Sequence, residues 1–277
     1  MTDNIDFIPP PKKSLGQHFL TDKRIVQHIL DAARLNPEDL VLEIGPGNGC
    51  LTKELVKNCR RLIALELDKE WAAYLQQSLA GYENFELLCI DALQFNYPEF
   101  FQSHNIGNGV KCKLISNLPY YIATPLLQLF ARHNQYFSVL VLMLPYDVAN
   151  RIRSAPGNKI YGYISLLLQY HFQIETVCFA PAVAFFPRPK INSLVLKFTP
   201  HDQPPVRIPD EDFYWKLIKA AFAQRRKTLV NALQNGLSLD KDIVLKALQQ
   251  AQIQPQQRAE TLNLEDFARL ADALAEE

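Results

Sequence analysis

The sequence predicts an α/β protein built on a mostly parallel sheet and followed by a small all-helical domain. Three observations carry this. Short apolar segments alternate with stretches of helical periodicity from Leu40 to Tyr170. Those segments are mostly apolar on both alternating sets of positions, as strands buried on both faces are. No strand pattern follows Pro200-His201-Asp202-Gln203-Pro204-Pro205, where amphipathic helical patterns take over.

Residues 1–11 are polar, end in Pro9-Pro10-Pro11 and read as a disordered tail. Ile25, Ile29, Leu30 and Ala33 lie at helical spacing and predict a helix over 22–35. Strand candidates follow at 40–44, 62–66, 85–90, 113–116, 139–144, 176–179 and 194–198. Helix candidates lie between them at 51–57, 69–79, 125–131, 148–154 and 164–170. The last two strands have no helix between them, so the sheet should end in an antiparallel hairpin. The expected division is a sheet domain over 12–199, a linker over 200–208 and a helical domain over 209–277. Its helices are expected at 212–224, 226–235, 241–251 and 264–274.

With 277 residues, 48% hydrophobic and 21% charged, the chain can bury one large core and a smaller one. No apolar run reaches the roughly 18 residues a membrane span requires. The amino terminus lacks the basic and apolar regions of a signal peptide. Five cysteines, at 50, 59, 89, 112 and 178, form no Cys-x-x-Cys pair. That argues against a disulfide framework and a zinc site, and fits a reducing cytoplasm. None of the six histidines forms a ligand-spaced cluster, so no metal is expected. His171 reads as structural and His28 as a helix-surface residue.

Glu43-Ile44-Gly45-Pro46-Gly47-Asn48-Gly49 closes the first strand of the alternating series. Its glycines let the backbone turn tightly and approach a ligand. The spacing differs from the dinucleotide fingerprint, and the Lys-Ser/Thr of a triphosphate-binding loop is missing. Glu66 ends the second strand about 20 residues further on, where an acid can accept hydrogen bonds from ribose hydroxyls. Asp91 follows the third, within reach of an adenine amino group. Acids at three strand ends would repel pyrophosphate, but they suit a ligand with a ribose, an adenine and a positive centre. S-adenosylmethionine has these features. The alternative is that each acid caps the helix that follows it.

Asn117-Leu118-Pro119-Tyr120 closes the fourth strand and offers an amide, a rigid turn and an aromatic ring together. The amino group of adenine is a poor nucleophile because its lone pair is delocalised into the ring. A site that alkylates it must hold the flat base and accept hydrogen bonds from its amino hydrogens. Asn117 Oδ1 can accept one, and a Leu118 or Pro119 carbonyl the other. The Tyr120 ring can stack on the base. Standing alone, the same residues would read as a turn closing a buried strand.

Together these residues make the chain resemble the ribosomal RNA adenine N6,N6-dimethyltransferases, in particular the bacterial small-subunit enzymes. The resemblance runs nearly end to end. It rests on Leu15-Gly16-Gln17-His18-Phe19-Leu20, Glu43-Ile44-Gly45-Pro46-Gly47, Asn117-Leu118-Pro119-Tyr120, Lys159-Ile160-Tyr161-Gly162, Phe185-Phe186-Pro187-Arg188-Pro189-Lys190 and Arg225-Arg226-Lys227-Thr228-Leu229. It implies a class I methyltransferase (Rossmann-like) fold with a seven-stranded, mostly parallel sheet and a small helical domain. It makes His18, Leu20, Gly45, Glu66, Asp91 and Asn117 the cofactor contacts, and it favours Phe185 as the second ring of a sandwich around the base. Three places depart from the family pattern. His18 stands where the family often has Asn, and Tyr121-Ile122-Ala123 where it continues Asn-Ile-Ser. Leu144-Pro145-Tyr146-Asp147 lies where the family typically carries Gln, a basic residue and Glu.

The formal net charge is zero, but distribution matters more than the sum. From Arg151 to Lys197 six basic residues (Arg151, Arg153, Lys159, Arg188, Lys190, Lys197) face one acid, Glu175. Lys12-Lys13 and Arg225-Arg226-Lys227 add two clusters. These are expected to follow an RNA backbone, and Arg225, Arg226 and Lys227 to open a helix. The resemblance implies a cytoplasmic monomer that dimethylates two adjacent adenosines in a hairpin near the 3' end of small-subunit rRNA. Its substrate would be a pre-ribosomal particle, and its product from the cofactor S-adenosylhomocysteine. A large-subunit rRNA adenine methyltransferase of the resistance type shares the cofactor and Asn-Leu-Pro-Tyr motifs. A non-catalytic RNA-binding assembly factor is the alternative from another class.

Overall fold

Asp22 starts the first helix of the protein by accepting a hydrogen bond from Arg24 N–H at 2.9 Å, an N-cap. The computed structural model describes residues 8–107 and 109–275. The expected tail over 1–11 therefore lies mostly outside the described residues. The elements of the larger unit begin with β1 (Phe19–Leu20), α1 (Lys23–Ala33), β2 (Leu40–Ile44), α2 (Thr52–Leu55), β3 (Arg61–Glu66) and α3 (Lys69–Ser78). They continue with β4 (Phe85–Cys89), α4 (Tyr97–Ser103), β5 (Cys112–Asn117), α5 (Ala123–Arg132), β6 (Phe137–Pro145) and α6 (Tyr146–Arg153). After α7 (Tyr163–His171) come β7 (Phe172–Ala180), β8 (Phe185–Phe186) and β9 (Ser193–Pro200).

The main sheet has seven strands in the order β4-β3-β2-β5-β6-β9-β7. The pairs from β4 to β6 are parallel, while β9 runs antiparallel to both β6 and β7. This is the mostly parallel sheet with a terminal hairpin that the apolar pattern predicted. Strand order reverses between β2 and β5. In such sheets the crevice for a ligand opens at the carboxyl ends of the strands on either side of the reversal. Here those ends carry Glu43–Gly45 and Asn117.

Two features were not expected. Helix α4 escaped notice because its apolar residues are aromatic and crowded (Tyr97, Phe100 and Phe101), so the run is short for a helical period. Asn96 caps it and Pro98 sits in its first turn. The two-residue strands β1 and β8 pair with each other, Phe19 with Phe186 and Leu20 with Phe185. Strands that short have no pattern in sequence.

The chain forms two compact units, one ending at Ala149 and resuming over Phe172–Pro200, the other made of Asn150–His171 and the residues from His201 onward. The second holds the last turn of α6, α7, α8 (Glu211–Ala223), α9 (Leu229–Leu237), α10 (Lys241–Gln250) and α11 (Leu264–Ala275). The break in composition at Pro200 thus marks one crossing between the units and misses the segment over 150–171. Packing accounts for this. Tyr161, Leu166 and Tyr170 share a core with Tyr214, Leu217, Leu229 and Leu233. Gln169 Nε2 donates to the Ile152 and Ser154 carbonyls at 2.8 and 3.0 Å. Helix α9 starts at Leu229 with Thr228 as its N-cap. Arg225, Arg226 and Lys227 precede it rather than open it.

Candidate active site

A cleft of about 910 Å³, counting its solvent-filled mouth, lies at the strand ends of the sheet unit. Its wall includes His18, Leu20, Glu43, Gly45, Gly47, Glu66, Asp91, Asn117, Leu118, Pro119, Tyr120 and Tyr121. All six residues expected to contact a cofactor are among them. Phe185 is not.

The floor is the loop after β2. Gly45 has φ +64° and Gly47 φ +55°, where other residues are strained. A Cβ on Gly45 would meet Pro119 Cγ at 2.9 Å, and one on Gly47 would meet Phe19 Cε1 at 2.7 Å. Close approach of the loop to the Asn-Leu-Pro-Tyr turn and to β1 therefore excludes side chains at both positions.

Glu66 organises this floor. Its carboxylate accepts hydrogen bonds from Gly47 N–H at 3.0 Å and Asp68 N–H at 2.9 Å. It is buried rather than poised over an open crevice, and desolvation raises its pKa against the opposing effect of those N–H groups. A carboxylate has about four lone-pair sites, so two remain for hydroxyl donors. Glu43 is 2% exposed. Glu43 Oε2 and Thr52 Oγ1 have no hydrogen-bond partner among the described residues. Burial pushes the Glu43 carboxyl up to about 8; the nearby Thr52 hydroxyl opposes the shift and the Glu66 charge adds to it. Asp91 lies on the wall but also accepts a hydrogen bond from Leu93 N–H at 2.9 Å. It caps the turn that follows and leaves its second oxygen for the cleft.

The opposite wall is the turn after β5. Asn117 Nδ2 points at the His18 carbonyl, at 3.4 Å. Asn117 Oδ1 is buried and has no hydrogen-bond partner among the described residues. An unpartnered buried acceptor costs on the order of 1–3 kcal/mol unless a ligand supplies the donor. The Tyr120 hydroxyl lies 2.6 Å from Ser193 Oγ, which fixes the ring, and the His18 ring stands 6.0 Å away. His18 Nδ1 donates to the Pro187 carbonyl at 2.7 Å, which leaves Nε2 as the acceptor of the neutral ring.

Phe185 is 4% exposed and sits in the hydrophobic core beside Leu20, so it cannot, as placed, flank a base in the cleft. Its register in the β1–β8 ribbon explains this. Successive side chains of a strand point to opposite faces, and Phe186 takes the outward place at 65% exposed. Lys12 is also accounted for: it pairs with Asp68 at 2.8 Å and Glu70 at 3.0 Å, and Gln17 Nε2 donates to the same Asp68 at 2.9 Å. The sequence reading missed Gln17, Tyr121 and Ser193. For Ser193 no local signal exists, because β9 brings it to Tyr120 from 73 residues away.

The pattern described as "Ribosomal RNA adenine dimethylase" matches residues 10–276. The chain belongs to that family. A protein of Moorella thermoacetica named "Ribosomal RNA small subunit methyltransferase A" is 41% identical over 268 residues, covering 95% of this chain and 92% of that one. A protein of the same name from Halothermothrix orenii is 40% identical over 264 residues, covering 95% and 87%. In three dimensions the chain is similar to a dimethyladenosine transferase from Plasmodium falciparum, with TM-score 0.77, 24% identity and coverage of 91% and 96%. It is also similar to the 23S rRNA methyltransferase ErmE, with TM-score 0.68, 21% identity and coverage of 93% and 99%. These two share its fold.

In this adenine dimethylase the basic residues divide between the units. Arg188 and Lys190 lie exposed on the β8–β9 loop of the sheet unit. Arg151, Arg153, Lys159, Arg226 and Lys227 are exposed on the helical unit and make no ion pair among the described residues. Arg225 differs. Its guanidinium donates to the Lys159 carbonyl, to the Tyr161 carbonyl at 3.2 Å and to Glu260 Oε2 at 3.3 Å. It fastens the segment before α9 to the Lys159–Tyr161 segment. No helix of the described residues is long and apolar enough to cross a membrane.

Proposed function

We propose that this family member transfers methyl groups from S-adenosylmethionine to the N6 amino groups of two adjacent adenosines in a hairpin near the 3' end of small-subunit rRNA. Its substrate would be a pre-ribosomal particle of the small subunit, and it would act as a monomer in the cytoplasm. The observation that carries the chemistry is Asn117 Oδ1, a buried acceptor without a partner on the wall of the cleft. The relatives named as small-subunit methyltransferases, at about 40% identity over most of the chain, favour this substrate over the large subunit.

The residues present suit the cofactor. The glycine floor lets the loop pack closely against Pro119 and Phe19, and Glu66 keeps lone pairs for ribose hydroxyls. The free oxygen of Asp91 can accept from an amino group. Glu43 lines the same cleft. His18 and Leu20 close one side. When bound, S-adenosylmethionine supplies an electrophilic methyl group.

The chain's own part is positioning and electrostatics. Asn117 Oδ1 accepts a hydrogen bond from the target amino group and draws electron density toward N6. A backbone carbonyl of Leu118 or Pro119 is the second acceptor; that of Pro119 also accepts from Ile122 N–H at 3.2 Å and has one lone pair left. Tyr120, held by Ser193, presents its ring to the face of the base. A paired base cannot reach these groups, so the target enters unpaired or extruded from its stack. Labelled methyl transfer tests the reading. Label should enter small-subunit rRNA in immature small subunits and be absent from large-subunit RNA. Label in large-subunit RNA alone, or binding without label, would overturn it.

A further inference from the structure

The sheet unit carries two exposed aromatic rings close to the Asn-Leu-Pro-Tyr turn. Tyr146 starts α6 and is 44% exposed, and Phe179 near the end of β7 is 49% exposed. Their rings stand edge to face, with centroids 6.1 Å apart and planes at 86°. The backbone ties this pair to the cleft. Tyr146 N–H donates to the Asn192 carbonyl at 3.0 Å. Pro145 pairs with Ser193, and Phe179 with Leu194, on β9. Ser193 Oγ in turn lies 2.6 Å from the Tyr120 hydroxyl. The segment Asn192–Leu194 at the start of β9 thus links the exposed pair to the ring proposed to stack on the target base.

An exposed apolar patch can equally mark a protein contact. Two features favour nucleic acid. Phe186, the last residue of β8, is exposed, as are Arg188 and Lys190 on the β8–β9 loop, and Asn192 anchors that loop by accepting from Ala182 N–H at 2.9 Å. No acidic residue occurs from Pro181 to Pro200; Lys197 pairs with Glu175, while Arg188 and Lys190 make no ion pair among the described residues, and exposed Asp147 follows Tyr146. Aromatic rings interleaved with cations are the makings of a single-strand binding surface. A base drawn into the pocket also leaves its neighbour without a stacking partner.

We infer that Tyr146 and Phe179 form a stacking platform for the unpaired nucleobase next to the target adenine, with Arg188 and Lys190 on the phosphates of the same strand. The inference rests on reading the cleft as an rRNA adenine methylation site.

Tyr146→Ala, Phe179→Ala and the double variant test it, since both side chains are about half exposed, with thermal melts of each variant as the check on folding. The substrates are protein-free small-subunit rRNA and immature small subunits. KM for each RNA substrate should rise about tenfold per ring lost, with kcat and S-adenosylhomocysteine affinity within about twofold of wild type. Tyr146→Phe should restore the KM. Stacking releases no counterions, so the salt slope of RNA binding should stay unchanged in the aromatic variants and fall in Arg188→Ala. A 2-aminopurine beside the target should lose fluorescence on binding wild type and keep it with the double variant. Unchanged KM and full quenching in the double variant, with wild type active, would overturn the platform. A defect seen only with the protein-containing particle would assign the patch to a protein partner and also overturn it. A wild type that methylates neither substrate would remove the reading of the cleft itself, an outcome the control separates from failure of the platform.

Discussion

Asn117 decides most at the scale of single residues. Its amide nitrogen is turned to the His18 carbonyl and its oxygen has no donor among the described residues. Asn117→Ala should leave cofactor affinity within a few-fold and reduce methyl transfer about a hundredfold, the cost of one transition-state hydrogen bond of roughly 3 kcal/mol. Wild-type turnover at saturating RNA would remove Asn117 from the chemistry. Glu66 combines two duties, because its oxygens hold Gly47 N–H and Asp68 N–H as well as facing the cleft. Glu66→Ala should weaken S-adenosylmethionine and S-adenosylhomocysteine together by roughly 1.5–3 kcal/mol and lower Tm, as calorimetry and thermal melts would record. Glu43 sets a pH dependence. Its folded pKa, raised by burial to about 8, lies above the unfolded carboxylate value. The protonated form therefore stabilises the fold at pH 4 and below, and that stability is lost as pH rises through 8. Glu43→Gln should match wild-type Tm near pH 4 and exceed it at pH 9, provided no cofactor is bound. Parallel Tm–pH curves for the two proteins would show that Glu43 is not buried in the neutral form.

Among elements, the segment before α9 shows how one basic cluster can hold two different roles. All three are exposed, but Arg225 donates to two carbonyls and pairs with Glu260, whereas Arg226 and Lys227 make no ion pair among the described residues. Arg225→Ala should destabilise the helical unit by about 1–2 kcal/mol, less than a fully buried charged network because the side chain is partly solvated. Replacing Arg226 and Lys227 by Ala should leave Tm unchanged. If they meet phosphates, it should lower the log–log salt slope of RNA binding by somewhat under one unit per residue. An unchanged slope would make them a solvated turn and leave Arg151, Arg153, Lys159, Arg188 and Lys190 as the basic RNA contacts. The β1–β8 ribbon is the other telling element. It sends Phe185 into the core and holds the segment that carries His18 beside the Asn-Leu-Pro-Tyr turn.

For the whole molecule, the chain crosses between its two units three times, at 149–150, 171–172 and 200–201. A fragment ending at Pro200 would keep α7 but lose the helices that cover Tyr161, Leu166 and Tyr170. Each exposed side chain forfeits roughly 1.5–3 kcal/mol of burial. That fragment should aggregate on size exclusion, although a boundary read from composition would make it a complete domain. A soluble, cofactor-binding fragment would show that the segment over 150–171 can fold with the sheet.

The sequence by itself determined the sheet and the set of residues at its strand ends. Mostly apolar runs such as Leu40–Ile44 and Val139–Leu144 are buried on both faces and can be read without a partner, because the hydrophobic signal is local. The glycine loop, Glu66, Asp91 and Asn117 were legible for the same reason, since each closes or follows a strand of recognisable pattern. Tertiary structure alone decided which of the motif residues reach the cleft. Phe185 and Phe186 are adjacent and chemically identical, and only the pairing with β1 buries one and exposes the other. Arg225 and Arg226 differ likewise only through carbonyls supplied by Lys159 and Tyr161, and Tyr120 is fixed by Ser193 from another strand. Such choices depend on contacts between distant segments, whose register has no counterpart in the local order of residues.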